Sequence, residues 1–268
     1  MVIHNDGSNF SIGANIALLL YAARLRLWPF VRWVLKRGQD SLQKMRFAPF
    51  PVIGAPSGMA LGGGCEVLLH CDAIEAHAET YMGFVETGVG IVPGWGGCKE
   101  LLGRWTTSET SPGGPMPPVM KAFEIIAMAQ IAKSAIEAQD FLFLRPGDNV
   151  IMNRDRVLAA AKARALEMAK DYTPSKPVEL RLPGPTGRTA LDLGIRDFIN
   201  KGVASPHDGV IAHELAIILS GDDTDALDIV SEDKVLRLER DAIIKLARTK
   251  KSRARVDHML RKGKPLRN

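Results

Sequence analysis

A chain of 268 residues, 46% hydrophobic and 24% charged, is long enough to bury a substantial core and too apolar to be a disordered polymer. Its net charge of +5 sits at one end: Lys245 to Asn268 carries ten Lys/Arg and one Asp (+9), and the 244 residues before it carry 25 Lys/Arg against 29 Asp/Glu (−4), so a nucleic-acid role would rest on the tail alone. Three scattered cysteines, Cys65, Cys71 and Cys98, argue against a disulfide framework and point to a reducing cytoplasm, and no His/Cys cluster has the spacing of a metal site.

In chain order, Met1 to Asn5 predicts a short strand, ended by the turn residues Asn5-Asp6-Gly7-Ser8-Asn9. After a second turn over Ser11 to Asn15, a helical pattern runs from about Ile16 to Met45, with a break expected near Pro29. Its apolar start, Ile16 to Tyr21, is cut by Arg24 and Arg26 well short of the roughly 18 to 20 residues a membrane span needs. It also lacks the basic start of a signal peptide. Phe50 to Ala55 predicts a buried strand, Cys65 to Cys71 a helix, Ala73 to Ala76 a strand and Thr80 to Gly83 a short extended piece. Gly88 to Gly97 is glycine-rich, with a helix expected from about Gly96. Thr106 to Pro118 is expected as a loop, Met120 to Gln139 and Asn153 to Asp171 as helices, and Tyr172 to Arg188 as a Pro/Gly-rich connection. Thr189 to Lys201 and His207 to Ser220 predict helices, and Ser231 to Arg261 a long basic amphipathic helix or a pair. The pattern divides into an α/β core over residues 1–103 and a helical C-terminal region over 104–268.

Gly62-Gly63-Gly64 lies between an expected extended segment and a helix. Such a segment lets the backbone approach a ligand and leaves N–H groups free at a helix start, where the helix dipole favours negative charge. No Gly-Lys-Ser/Thr follows, so it is not a P-loop, and it is not a GxGxxG of a βαβ unit. Glu66 stands in an apolar run, Cys65 and Val67-Leu68-Leu69, and a buried, unpaired carboxylate is too costly to keep without a use. His70 is expected as a satisfied helix histidine, Trp95 as packing, and Asn15 as a helix cap.

The segment from Gly54 through Gly62-Gly63-Gly64-Cys65-Glu66 to Asp72 resembles the signature of the crotonase (enoyl-CoA hydratase/isomerase) superfamily. Three further pieces fall in that family's order: Phe10-Ser11-Ile12-Gly13-Ala14-Asn15-Ile16, Met82-Gly83-Phe84-Val85-Glu86, and Gly90-Ile91-Val92-Pro93-Gly94-Trp95-Gly96-Gly97. The resemblance covers residues 1 to about 103, with a weaker echo in Leu260 to Pro265. Asn15 departs from the family's usual acid at that step. The pattern is most similar to the hydratase region of bacterial proteins that fuse it to a 3-hydroxyacyl-CoA dehydrogenase, beginning after the family's first ββα turns.

The resemblance implies an α/β fold, a shortened crotonase-type ββα spiral followed by an all-helical C-terminal region. It implies roles as well. The N–H groups of Ala14 and Gly63 would hold the thioester oxygen, Glu66 and Glu86 would be the acid/base pair, and Ile12, Gly13, Gly62, Gly64 and Gly94 would contact substrate. The chemistry agrees. Adding water to an α,β-unsaturated thioester builds an enolate that needs preorganised donors, a base to activate water at C3 and an acid to protonate C2. Phe84, Val85, Val89 and Ile91 would favour the protonated form of Glu86. The expected activity is hydration of a trans-2-enoyl-CoA in fatty-acid β-oxidation. The alternatives are an enoyl-CoA isomerase and a non-catalytic acyl-CoA-binding or assembly subunit. No cofactor is expected beyond the coenzyme A of the substrate. The expected partners are further copies in a trimer-based oligomer, or a 3-hydroxyacyl-CoA dehydrogenase or thiolase. The tail over 245–268 is expected either as a solvated basic helix end or as a surface that meets coenzyme A phosphates or an adjoining subunit.

Overall fold

In the computed structural model, which describes residues 1–268, the strands are short and fall largely where β-branched and small apolar residues cluster. The first, β1 (Val2–His4), leads into a loop and then two helices, α1 (Ile16–Arg24) and α2 (Trp28–Arg46). The break between them lies just before Pro29: Arg26 takes a φ of 56°, and the proline occupies the first turn of α2, where a missing N–H costs nothing. Strands β2 (Ile53–Ala55) and β3 (Met59–Leu61), helix α3 (Gly63–Leu69), strands β4 (Ala73–His77) and β5 (Tyr81–Gly83), a 3-10 turn over Glu86–Val89 and helix α4 (Gly97–Thr106) complete the first part.

The remainder is mostly helical, with four short strands. It comprises α5 (Met116–Ala127), β6 (Ile131–Ala132), α6 (Ala135–Asp140), β7 (Asn149–Ile151), α7 (Val157–Met168), β8 (Leu180–Arg181), α8 (Gly184–Asn200), α9 (Pro206–Ser220), β9 (Ile229–Val230), α10 (Glu232–Arg248) and α11 (Lys250–Lys262). Three stretches differ from the sequence expectation. The helix expected over 120–139 is two helices, parted where Ala129 adopts a φ of 48° and β6 turns back to pair with β5. Prolines 117 and 118 open α5 rather than extending the loop, and α8 starts at Gly184, inside the expected connection. Of the two readings of the basic stretch, the structure shows the pair, because Thr249 leaves helical geometry and its side chain accepts from Ser252 N–H to begin α11.

Four parallel strands form the main sheet in the order β1-β2-β4-β7, and its last member comes from beyond residue 103. A second sheet has the order β3-β5-β6, and β8 pairs with β9. Gly54 in β2 lets α3 lie close on the main sheet, since a Cβ there would stand 2.6 Å from a methyl of Leu68. On the other face, Val157 and Ala161 of α7 pack on Ile53, Ala55 and Ala73. A single cluster of 41 buried residues runs from Phe10 to Leu246, so the helical end shares one core with the sheets. Helices α1 and α2 expose Leu18, Tyr21, Leu25, Phe30 and Trp33. No helix is long and apolar enough to cross a membrane.

Candidate active site

The second sheet gathers the site. The loop after β1 is laid along β3: Ser11 N–H donates to Met59 O at 3.0 Å and Leu61 N–H to Ser11 O at 2.9 Å. That fixes Gly13, with a φ of 100°, and Ala14, which follows it. Strand β3 then runs into Gly62, whose φ of 54° and ψ of −124° suit only glycine, and Gly63 starts α3. Parallel pairing of β3 with β5 sets the Val85-Glu86 turn beside this helix start, and Gly62 N–H donates to Gly83 O at 2.9 Å.

Two backbone N–H groups border the same small space. Ala14 N–H has no partner within the chain. A methyl on Gly63 would sit 3.6 Å from Ala14 N and 3.9 Å from Oε2 of Glu66, and one on Gly13 would sit 3.8 Å from Gly63 N. A methyl on Gly62 would stand 2.7 Å from Oε1 of Glu86. The glycines therefore keep open the space on which both carboxyls converge.

Each glutamate has one oxygen tied and one free. Oε1 of Glu66 accepts from Trp95 N–H at 2.7 Å and Gly97 N–H at 2.9 Å. Oε2 of Glu86 accepts from Val85 N–H at 2.8 Å. Glu66 is 3% exposed, and burial raises its pKa well above the usual carboxylate range, against the pull of its backbone donors. Glu86 is raised by burial and then by the charge of Glu66. The two N–H bonds on Glu66 favour its anion. Glu86, with one such bond and a negative neighbour, holds its proton the more firmly. Such a pair can divide base and acid roles over one water.

The structure thus brings Ala14, Gly13, Gly62, Gly63, Glu66 and Glu86 together. It places two of the other expected contact residues elsewhere. Gly64 backs onto Ser11, where a Cβ would lie 2.7 Å from the serine Cβ. Gly94 is pressed against Ile243 of α10. Ile12 is 68% exposed on the loop rim. His70 is buried, its Nδ1 2.7 Å from Glu66 O, and burial pushes its pKa down to about 4, so it stays neutral. Asn15 caps α1, accepting from Ala17 N–H. The residue identities hide the contribution of Trp95 and Gly97, because their backbone amides rather than their side chains hold Glu66. They also hide Glu239, fully buried in α10. Its signal was a single carboxyl on the apolar face Val235, Leu236, Ala242, Ile243, Leu246.

Residues 6–107 match the sequence profile of the Enoyl-CoA hydratase/isomerase family. The whole chain is 40% identical to a protein of Bacillus subtilis described as a probable 3-hydroxyacyl-CoA dehydrogenase, and spans 34% of that protein. Over 105 residues, 38% of the chain, it is 35% identical to the fatty acid oxidation complex subunit alpha of Idiomarina loihiensis, spanning 14% of it. The chain therefore spans about a third or less of the length of these curated relatives. In fold it is similar to an enoyl-CoA hydratase from Rhodobacter sphaeroides, with a TM-score of 0.67 at 16% identity, over all of this chain and 78% of that one.

Proposed function

We propose, for a chain that belongs to the crotonase superfamily, that it hydrates a trans-2-enoyl-CoA to the 3-hydroxyacyl-CoA. The observation that carries this is the pair of free carboxyl oxygens, Oε2 of Glu66 and Oε1 of Glu86, converging on the glycine-lined space beside Ala14 and Gly63. The thioester oxygen accepts from Ala14 and Gly63 N–H, which stabilise the enolate as it forms. Glu66, as the anion, takes a proton from water through Oε2 while the oxygen adds to C3. The C2–C3 π electrons move onto the thioester as the enolate, and Glu86 gives its proton to C2. The proton gained by Glu66 then passes to Glu86, so the net change is addition of one water.

Two acids on one water favour hydration over isomerisation, in which a single base carries a proton between two carbons of the same substrate. The product is the class of compound that a 3-hydroxyacyl-CoA dehydrogenase oxidises. The dehydrogenase relative, only a third of which this chain spans, supports a setting in which the two activities share a polypeptide or an assembly.

The test is loss of the enoyl absorbance of crotonyl-CoA with the purified chain. Glu66→Gln and Glu86→Gln are each expected to lower kcat by about a hundredfold or more, with KM changed little. Isomerisation of a 3-enoyl-CoA without hydration would identify the isomerase. Acyl-CoA binding without turnover, unaffected by Glu86→Gln, would identify an assembly subunit.

A further inference from the structure

The turn that holds Glu66 is itself held from the other end of the chain. Gly96, with a φ of 101°, precedes the first residue of α4 and, having no side chain, gives that helix start no cap of its own. The free N–H groups of that start are shared by two carboxyls. Glu66 takes those of Trp95 and Gly97 on one oxygen. Glu239 takes Gly96 N–H on Oε2 at 2.8 Å and Lys99 N–H on Oε1 at 3.0 Å. Gln39 of α2 completes the clamp: its amide donates to Gly94 O at 2.9 Å and Leu236 O at 3.0 Å, and its oxygen accepts from Arg240. The turn has no slack. Gly38 faces the Trp95 ring, Gly94 meets Ile243, and a Cβ at Gly96 or Gly97 would stand within 3 Å of His70 or Phe84.

Resting on the hydratase reading, we propose that Glu239 is a positioning residue for the reaction. With both oxygens on the Gly96 and Lys99 amides, it holds the Trp95 and Gly97 N–H pair on Oε1 of Glu66 and so leaves Oε2 aimed at the substrate space.

The N–H groups on the Glu239 oxygens, those of Gly96 and Lys99 with the Gln39 amide 3.4 Å from Oε2, favour its anion, while burial and the charge of Glu66 favour its protonated form. Burial, then the charge of Glu66, raises Glu239 to about 8. The other titratable groups facing this cluster are Glu86, Lys99, His70 and the Cys98 thiol. The cations nearby are Lys99, whose ammonium is taken up by Glu100 and Glu232 on the far side of α4, and Arg240, which donates to the Gln39 oxygen. At neutral pH Glu239 therefore mostly holds its proton, and its part in the site is the grip of its two oxygens on the Gly96 and Lys99 amides.

The experiment compares wild type, Glu239→Gln and Glu239→Leu in the full chain. Turnover of crotonyl-CoA is followed, and the Glu66 carboxyl is titrated by carbon-13 NMR with Glu66→Gln for assignment. Glutamine keeps the volume but turns an NH2 group on one of the two amides. It is expected to lower kcat by about tenfold with KM within about threefold, and the Glu66 midpoint is expected to rise as the Trp95 and Gly97 donors loosen. Leucine, which frees both amides, is expected to lower kcat by about a hundredfold or more. An unmoved Glu66 midpoint in a folded Glu239→Leu protein would overturn the proposal. So would a loss of turnover that merely tracks the folded fraction in both variants. If wild type turns over no enoyl-CoA, the hydratase reading fails, and the NMR titration still decides whether Glu239 governs Glu66.

Discussion

Single atoms decide this site, and glycine is where that is clearest. At Gly62 a side chain meets two obstacles at once: a φ of 54° and a Cβ 2.7 Å from Oε1 of Glu86. Gly62→Ala is expected to cost about 1 to 3 kcal/mol in chemical denaturation and to lower kcat by displacing Glu86. Gly88 has nothing within 4 Å of its Cβ position and no positive φ, so Gly88→Ala is expected to leave stability within about 0.5 kcal/mol. Of the residues whose side chains face the space, Glu66 was legible because an acid in an apolar run is expensive without a purpose, and Glu86 only through its place in the family-like segment Met82-Gly83-Phe84-Val85-Glu86. Trp95 was not, because a sequence letter names a side chain and the group in use is its amide. Gly64 and Gly94 were grouped with the substrate contacts on their glycine identity, which also serves close packing against Ser11 and Ile243.

Elements were legible where periodicity was long and illegible where a partner decided. α2, α7, α9 and the basic pair near the end are recognisable from their own patterns. β6, β8 and β9 have two residues each and exist because another strand lies beside them. The last two helices carry more than their amphipathic pattern suggests. α10 delivers Glu239 to the turn behind Glu66. α11 delivers Ser252 to the end of the Glu86 turn, where its buried hydroxyl donates to Gly90 O at 2.6 Å and lies 2.9 Å from His207 Nε2. Ser252→Ala strands a buried carbonyl and a buried imidazole. It is expected to cost about 1 to 3 kcal/mol in a denaturant titration and to lower kcat through Glu86. On the far side of α4, Glu100 is buried with Lys99, His70 and Arg46. Burial raises its pKa, and Lys99 and Arg46, with the neighbouring His70, overcome it to hold the carboxyl at about 2.

For the whole molecule, three buried carboxyls with raised pKa values make the fold sensitive to alkali. Glu239 rises from an ordinary 4.5 to about 8, and Glu66 and Glu86 shift the same way. Between those limits the folded chain keeps protons that the unfolded chain has released. Their contribution is therefore full below about 4.5 and lost as pH climbs through 8. His70, pushed down to about 4 by burial, acts with the opposite sign, but only below its ordinary 6.5. The melting temperature is therefore expected to fall between pH 6.5 and 8.5, by up to about 1.4 kcal/mol of stability per pH unit for each proton released. Glu239→Gln should flatten that slope, and a flat wild-type profile would contradict the raised carboxyls. The family pattern occupies residues 6–107, yet two of the side chains that hold its glutamate turns stand at 239 and 252. A nascent chain therefore carries the entire signature long before it can use it. A chain stopped short of Glu239 would display the recognisable pattern without the carboxyl and the hydroxyl that brace its two glutamate turns.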